Sequence, residues 1–288
     1  MKNQLKIIKL IKLKFKSSKV LKKILVLIGC FTIFFLIFAK NVVDGANLYK
    51  FEINFWDIVF RVCTYPFFII IIFLPTIIIF TGIIYEKNKY MENVYLKVGN
   101  KRTIVYGNIL STLIINFIIC IAMFFILIVV ALFYSEYDIY WSNGILKANI
   151  EVSILNQLYP NGFISEYTPS ESILFSFMEI FIGLNIVVFI RDLLYEYLTE
   201  IKIANIIVSL FIGINYIFMS FPLLHKSLPL LEYVSLHNIM ILWYHKFETL
   251  SFAEISIERS LISSLSILII VALLRVLFAR KMKVNYSD

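Results

Sequence analysis

Between Thr103 and Ser135 the chain runs 33 residues without a charged side chain and without a proline. Such a stretch offers no polar face to water, so a soluble fold would have to enclose it on every side. As a helix it would measure about 50 Å at 1.5 Å per residue, more than the roughly 30 Å of hydrocarbon in a bilayer but too little for two crossings and a turn. The stretch therefore reads as one long membrane helix whose first turns stand in the cytosol. The rest of the chain agrees: 60% of the 288 residues are hydrophobic and 16% charged, against about 45–50% and 25% in soluble domains. The mean hydropathy is +0.87. With 9 Gly, 6 Pro and 3 Cys, a collagen-like chain, a disordered chain and a disulfide scaffold are all excluded.

Five further stretches largely free of charge follow the same logic. Together they predict an all-α polytopic membrane protein, a single transmembrane domain over residues 1–288, with six spans at about 24–40, 60–85, 103–134, 172–190, 203–222 and 260–279. Pro75 is the expected kink in the second. Glu179 is the one acid well inside a span, and Arg275 is expected to snorkel from the end of the sixth. Between the spans lie outer segments at 41–58, 136–171 and 225–259. The segments 1–23, 86–102, 191–202 and 275–288 carry 20 of the 27 Lys and Arg, so the positive-inside rule places both termini in the cytoplasm. The net charge of +8 thus orients the chain in a cell membrane; it is not the mark of a nucleic-acid partner. Cys30, Cys63 and Cys120 fall inside spans and read as small apolar packing residues.

Three cytoplasmic pieces carry a pattern. In residues 1–22, Ile7, Ile8, Ile11 and Phe15 oppose Lys2, Lys6, Lys9 and Lys16, which describes a helix lying on an anionic lipid surface. In 86–99, Tyr90, Met91, Val94, Tyr95 and Val98 recur at helical spacing, with Lys89, Glu92 and Lys97 on other faces and Gly99 as the stop. A short amphipathic helix of this kind suits a partner's groove. Beyond the fourth span, Asp192, Glu196 and Glu200 form an i, i+4, i+8 acidic stripe, read either as a solvated face or as a contact for a basic partner. Outside, the segment 225–259 is apolar enough to hold short helices that dip into the membrane, and Pro160-Asn161-Gly162 reads as a turn.

Enzyme signatures fail one after another. The chain has no G-x-x-x-x-G-K-[ST], no H-E-x-x-H and no G-x-S-x-G, and no cofactor or metal is called for. His225, His237 and His245 all precede the last span at loose spacing, near Glu232 and Glu248. They read as interface residues before metal ligands. Glu179 either lines a path or is a neutral, hydrogen-bonded structural residue.

A basic surface helix, six spans with both ends inside, a coupling-type helix between the second and third, and partly apolar segments before the sixth resemble the permease subunit of an ABC-2 type ATP-binding cassette transporter. Locally, Glu86 follows the second span, the amphipathic helix ends at Gly99, and Lys101-Arg102 precede Gly107-Asn108 at the opening of the third. Asn108 stands where the family commonly has Lys, and the outer segment from Glu136 to Glu171 exceeds the family's short hairpin. The resemblance implies a separate ATPase subunit that docks on Glu86, Tyr90, Met91, Val94, Tyr95, Lys97 and Val98, with Asp192, Glu196 and Glu200 as a second contact. It also implies a second permease copy or paralogue as dimer partner, and export of a hydrophobic or amphipathic cargo, peptide or lipid-like. Two other classes stay open: an integral-membrane enzyme or maturation factor using Glu179 or the outer histidines, and a membrane sensor or assembly scaffold.

Overall fold

The computed structural model describes residues 2–17, 20–48, 50, 52–85, 100–144, 161–198, 200–219, 233–245 and 255–279. Among them the secondary structure is helical throughout, with no strand. In chain order come α1 (Lys2–Ser17), α2 (Val20–Leu48) and α3 (Phe55–Cys63), followed by a π-helical stretch (Phe67–Phe73) that leads into α4 (Leu74–Tyr85). Next are α5 (Lys101–Tyr134), α6 (Asn161–Glu166), α7 (Pro169–Leu198), α8 (Ile201–Met219) and α9 (Leu236–Met240). A 3₁₀ turn (Leu242–Tyr244) and α10 (Ile257–Phe278) complete the series. Four of these helices, α2, α5, α7 and α10, are long and apolar enough to cross a membrane, and α3 with the helix from Phe67 forms a fifth candidate bent by 55°. A helix satisfies its own backbone, which is what a chain with so little polar sequence needs in hydrocarbon.

Several expected boundaries move. The first span does not stop near residue 40; α2 runs on to Leu48 and carries Asp44 on its exposed side, so the following connection is short. Asn161 and Gly162, expected in a turn, open the short helix α6. The bend in the second span falls at Thr64–Pro66 and not at Pro75. Pro66 has no N–H and disfavours the α conformation at Tyr65, so the ladder of α3 ends there, with the Thr64 N–H and hydroxyl both turned back to the Phe60 carbonyl. Pro75 is absorbed by the wider π-helical turns before it, in which the Leu74 N–H reaches the Ile69 carbonyl.

Helix α7 is the most enclosed of the four long helices. It packs against α10, α8, α9 and α5, while α2 and α1 cover the other side of α5. Chain direction gives the bundle two ends. At one, α4 and α7 finish and α5 and α8 begin; at the other, α5 finishes and α3, α7 and α10 begin. The first is called the Arg191 end below and the second the Pro169 end.

At the Arg191 end α1 docks on the opening turns of α5. Leu10 is buried and occupies the space that a side chain at Gly107 would need, since a Cβ there would lie 2.9 Å from Leu10 Cδ2. Ile7, Ile11 and Phe15 are half-buried beside it, whereas Ile8, expected on the same face, points outward at 51% exposure. Lys6, Lys9 and Lys12 are exposed. At the Pro169 end the segment after α5 folds over the start of α3. The Trp56 indole donates to the Asp138 carbonyl (2.7 Å), Asn54 Nδ2 to the Tyr140 carbonyl (2.8 Å), and the Trp141 indole to the Tyr167 carbonyl (2.9 Å). These tryptophans tie the connections to the bundle.

Candidate functional site

Polar residues in the bundle gather along α7. Ser172, Ser176, Glu179 and Gly183 recur at i, i+4, i+7 and i+11, so they share one helix face, and the three polar ones are buried. Glu179 stands ten residues into α7, about 15 Å from Pro169 by helical rise. That depth is the middle of the 172–190 stretch expected to cross the membrane.

Facing this stripe is the segment 233–245. Its helix α9 and the following turn are buried from Leu236 to Leu242 and reach α7 at Gly183. A side chain at Gly183 would run into Met240, and its Cβ would also lie 3.1 Å from Ile239 Cγ2, so the missing side chain is what lets the segment approach. The segment thus runs from the Pro169 end to the middle of α7. Irregular backbone at such depth needs cover and partners. Both are present: the Leu236 N–H donates to Asn215 Oδ1 of α8 (3.0 Å), and Ser260 Oγ of α10 donates to the Asn238 carbonyl (2.6 Å). His237 stacks on Tyr216 of α8 at 5.7 Å between ring centroids, with Tyr244 edge-on at 4.9 Å.

The segment ends on His245, whose Nε2 lies 2.6 Å from Glu179 Oε1. Both side chains are essentially inaccessible, at 0% and 1%. Glu179 Oε2, His245 Nδ1 and the nearby Ser176 Oγ are buried with no hydrogen-bond partner among the described residues. A carboxyl and an imidazole in such contact can hold a proton between them, and either can pass it on.

Two residues beyond Gly183, Asn116 Nδ2 of α5 donates to Asn185 Oδ1 (2.9 Å), and Asn185 Nδ2 donates to the Phe181 carbonyl (2.7 Å). Toward the Arg191 end four charged side chains form a buried cluster of zero formal charge. Arg191 donates through Nη1 to the Ile78 carbonyl and to Thr81 Oγ1 of α4 (2.8 Å each), and through Nε to Asp192 Oδ1 (2.9 Å). Arg275 of α10 lies 3.2 Å from Asp192 Oδ2 and 2.6 Å from Glu196 Oε1. Its guanidinium also covers the Phe189 ring at 5.1 Å.

The expectation that Arg275 snorkels is therefore corrected: it is fully buried, because two carboxylates on α7 reach it before any interface does. Of the acidic stripe, the structure turns Asp192 and Glu196 into the bundle and leaves Glu200 exposed between α7 and α8. Glu179 is placed at the contact with 233–245. Glu86, Tyr90, Met91, Val94, Tyr95, Lys97 and Val98 lie outside the described residues, as does His225. Sequence reasoning missed the partners His245, Arg191 and Arg275. One signal was available, because opposite charges placed singly in different spans call for each other. Among the described residues no three His, Cys, Asp or Glu side chains gather as metal ligands would.

Compared with family models, characterised proteins and solved structures, the chain matches none of them.

Proposed function

We propose that the chain is the membrane-spanning permease subunit of an ABC-2 type transporter, powered by a separate ATPase subunit and exporting a hydrophobic or amphipathic cargo, peptide or lipid-like. The observation that carries this reading is the segment 233–245, which enters the bundle from the Pro169 end, is held there by α8 and α10, and reaches Glu179 at the middle of α7. An element inserted part-way, with polar contacts on three helices, gives the bundle something that can close or open a path from one side. Helix α8 supports a six-span topology: its 19 residues extend about 28 Å, close to the hydrocarbon thickness. Counting the bent α3–α4 unit and α8 as spans then returns both termini to one side, the cytoplasmic one by the distribution of Lys and Arg.

In this reading the ATPase binds the segment 86–99, with Tyr90, Met91, Val94, Tyr95 and Val98 as the apolar face and Glu86 and Lys97 at its rim. Glu200 is the exposed acid available for a second contact, while Asp192 and Glu196 position α7 from inside. A second permease copy or paralogue completes the pore. The purified chain alone is expected to hydrolyse no ATP, and an ATPase subunit is expected to co-purify with it. Val94→Pro or Lys97→Glu should release that subunit. Recovery of no nucleotide-binding subunit by the intact chain, together with no gene for one beside it, would overturn the proposal.

The Glu179–His245 contact favours one other reading, a membrane-embedded enzyme using the two as acid and base. Loss of a measurable turnover in Glu179→Gln with no ATPase partner present would select it.

A further inference from the structure

The geometry points to a proton-binding site at Glu179 and His245 that fastens the segment 233–245 to α7. It stands whether or not the chain is a permease, since it uses only the contact between these two residues.

The two side chains come from elements 66 positions apart in the chain, meet at 2.6 Å and are sealed from solvent. Three protonation states are open to them. With one proton the pair is neutral overall, either as carboxylate and imidazolium or as carboxylic acid and imidazole, and both forms keep a hydrogen bond across the contact. With none it carries a net negative charge, and with two a net positive charge. A net charge at mid-membrane costs about 2.5–3.5 kcal/mol on insertion scales. The single proton is therefore bound against titration in either direction, and the docked segment is the structure that binds it. Undocking separates Glu179 from His245 and leaves each to titrate alone.

Other ionisable groups stand on the elements packed against the pair. His237 and Tyr244 belong to the same segment, Tyr216 to α8, Asp57 and Arg61 to α3, Cys120 to α5, Asp192 and Glu196 to α7 and Arg275 to α10. None is hydrogen-bonded or ion-paired to Glu179 or His245. Arg275 is engaged with Asp192 and Glu196, more than a dozen residues further along α7. The proton of this site is thus governed by the two residues themselves.

Removing either partner has opposite consequences. In Glu179→Gln the imidazole keeps a hydrogen-bond acceptor but has no counter-charge once protonated, so lowering the pH works against docking. In His245→Gln the carboxyl keeps a hydrogen-bonding neighbour but has no counter-charge once ionised, so raising the pH works against docking.

The test is hydrogen exchange of the 236–242 amides in the full chain reconstituted into lipid nanodiscs, corrected for intrinsic exchange. Between about pH 5 and pH 6 the native chain should change its protection by less than about twofold, because the docked pair and the separated residues hold one proton alike, and towards pH 8 it should lose on the order of tenfold, as only the docked pair keeps that proton. Glu179→Gln should lose on the order of tenfold in protection as the pH falls, and His245→Gln a similar factor as it rises, the part of the charge penalty that titration within this window exposes. The doubly substituted chain, with both members of the pair gone, should be flat. Two single variants with flat profiles, or with slopes of the same sign, would refute the site. Should one single variant fail to fold, the other decides against the double: a slope that persists in the double, or its absence from the single, has the same effect.

Discussion

Arg275→Met removes the cation from the cluster at the Arg191 end while retaining an unbranched apolar side chain of similar length. In the native fold Arg275 answers two carboxylates, Glu196 at 2.6 Å and Asp192 at 3.2 Å. Asp192 keeps Arg191 after the substitution, through the Arg191 Nε at 2.9 Å. Glu196 loses the guanidinium at 2.6 Å and is 9% exposed. Breaking a buried pair by deleting one partner costs about 3–5 kcal/mol, because the surviving charge is left uncompensated. The partial cover from Arg191 and the slight exposure of Glu196 place this case at the lower end, about 3 kcal/mol. With an unfolding entropy of about 2.1 cal/mol/K per residue, that loss lowers the transition of a 288-residue chain by on the order of 5 °C. Cys63 and Cys120 are buried and Cys30 is exposed, so in a Cys30→Ser background a thiol-reactive fluorophore reports the transition in detergent. Adding Glu196→Gln to Arg275→Met removes the carboxylate that lost its guanidinium and should restore most of the loss, since an ion pair replaced on both sides is close to neutral in stability. An Arg275→Met transition within about 1 °C of the native one, or a double substitution no better than the single, would show that the cluster is not the joint between α7 and α10 that these distances describe.

Three further outcomes follow from named contacts. Gly183→Val pushes a branched side chain into Met240 and Ile239, so it should cost about 1–3 kcal/mol and raise hydrogen exchange at 236–242, with relief when Met240→Ala is added. Gly107→Val evicts Leu10 from its seat on α5 and should make residues 6–12 of α1 accessible to protease while leaving the thermal transition of the bundle within about 1 °C. Asn116→Leu leaves Asn185 Oδ1 without the donor now at 2.9 Å and should cost about 1–3 kcal/mol in the same thiol assay, whereas Asn116→Leu with Asn185→Leu should cost less than the single change.

The long helices were legible because each is a continuous apolar run, and in hydrocarbon a helix lets one run satisfy its own backbone. The stretch beginning at Thr103 illustrates this, becoming α5 from Lys101 to Tyr134. The burial of residues 235–242 follows from the same apolar content, which had to be hidden from water. Pairing was not legible. Glu179 and His245 are 66 positions apart and Glu196 and Arg275 are 79 apart, and nothing local to either residue names the other. The charge of Arg275 could be read, but its direction depends on whether the neighbouring helix offers a carboxylate within reach or the nearest polar medium is the interface.

The two prolines of the second span carry the same lesson at the level of the backbone. Pro66 and Pro75 each lack a donor and each free a carbonyl one turn back, so by sequence they are equal candidates for a kink. What separates them is the turn that precedes each. The stretch Phe67–Phe73 widens to π-helical spacing and accommodates the Pro75 ring without a break. The chain before Pro66 is the last turn of α3, where Thr64 already draws its own N–H and hydroxyl back to Phe60 and Tyr65 is steered away from the α conformation. The π-helical stretch packs in turn against α8 and α9, with Phe67 edge-on to the Tyr216 ring that stacks on His237. The bend of the second span and the seat of the segment 233–245 are therefore parts of one packing arrangement, and a change that straightens the Thr64–Pro66 bend would move Tyr216 and with it the support of the proton site.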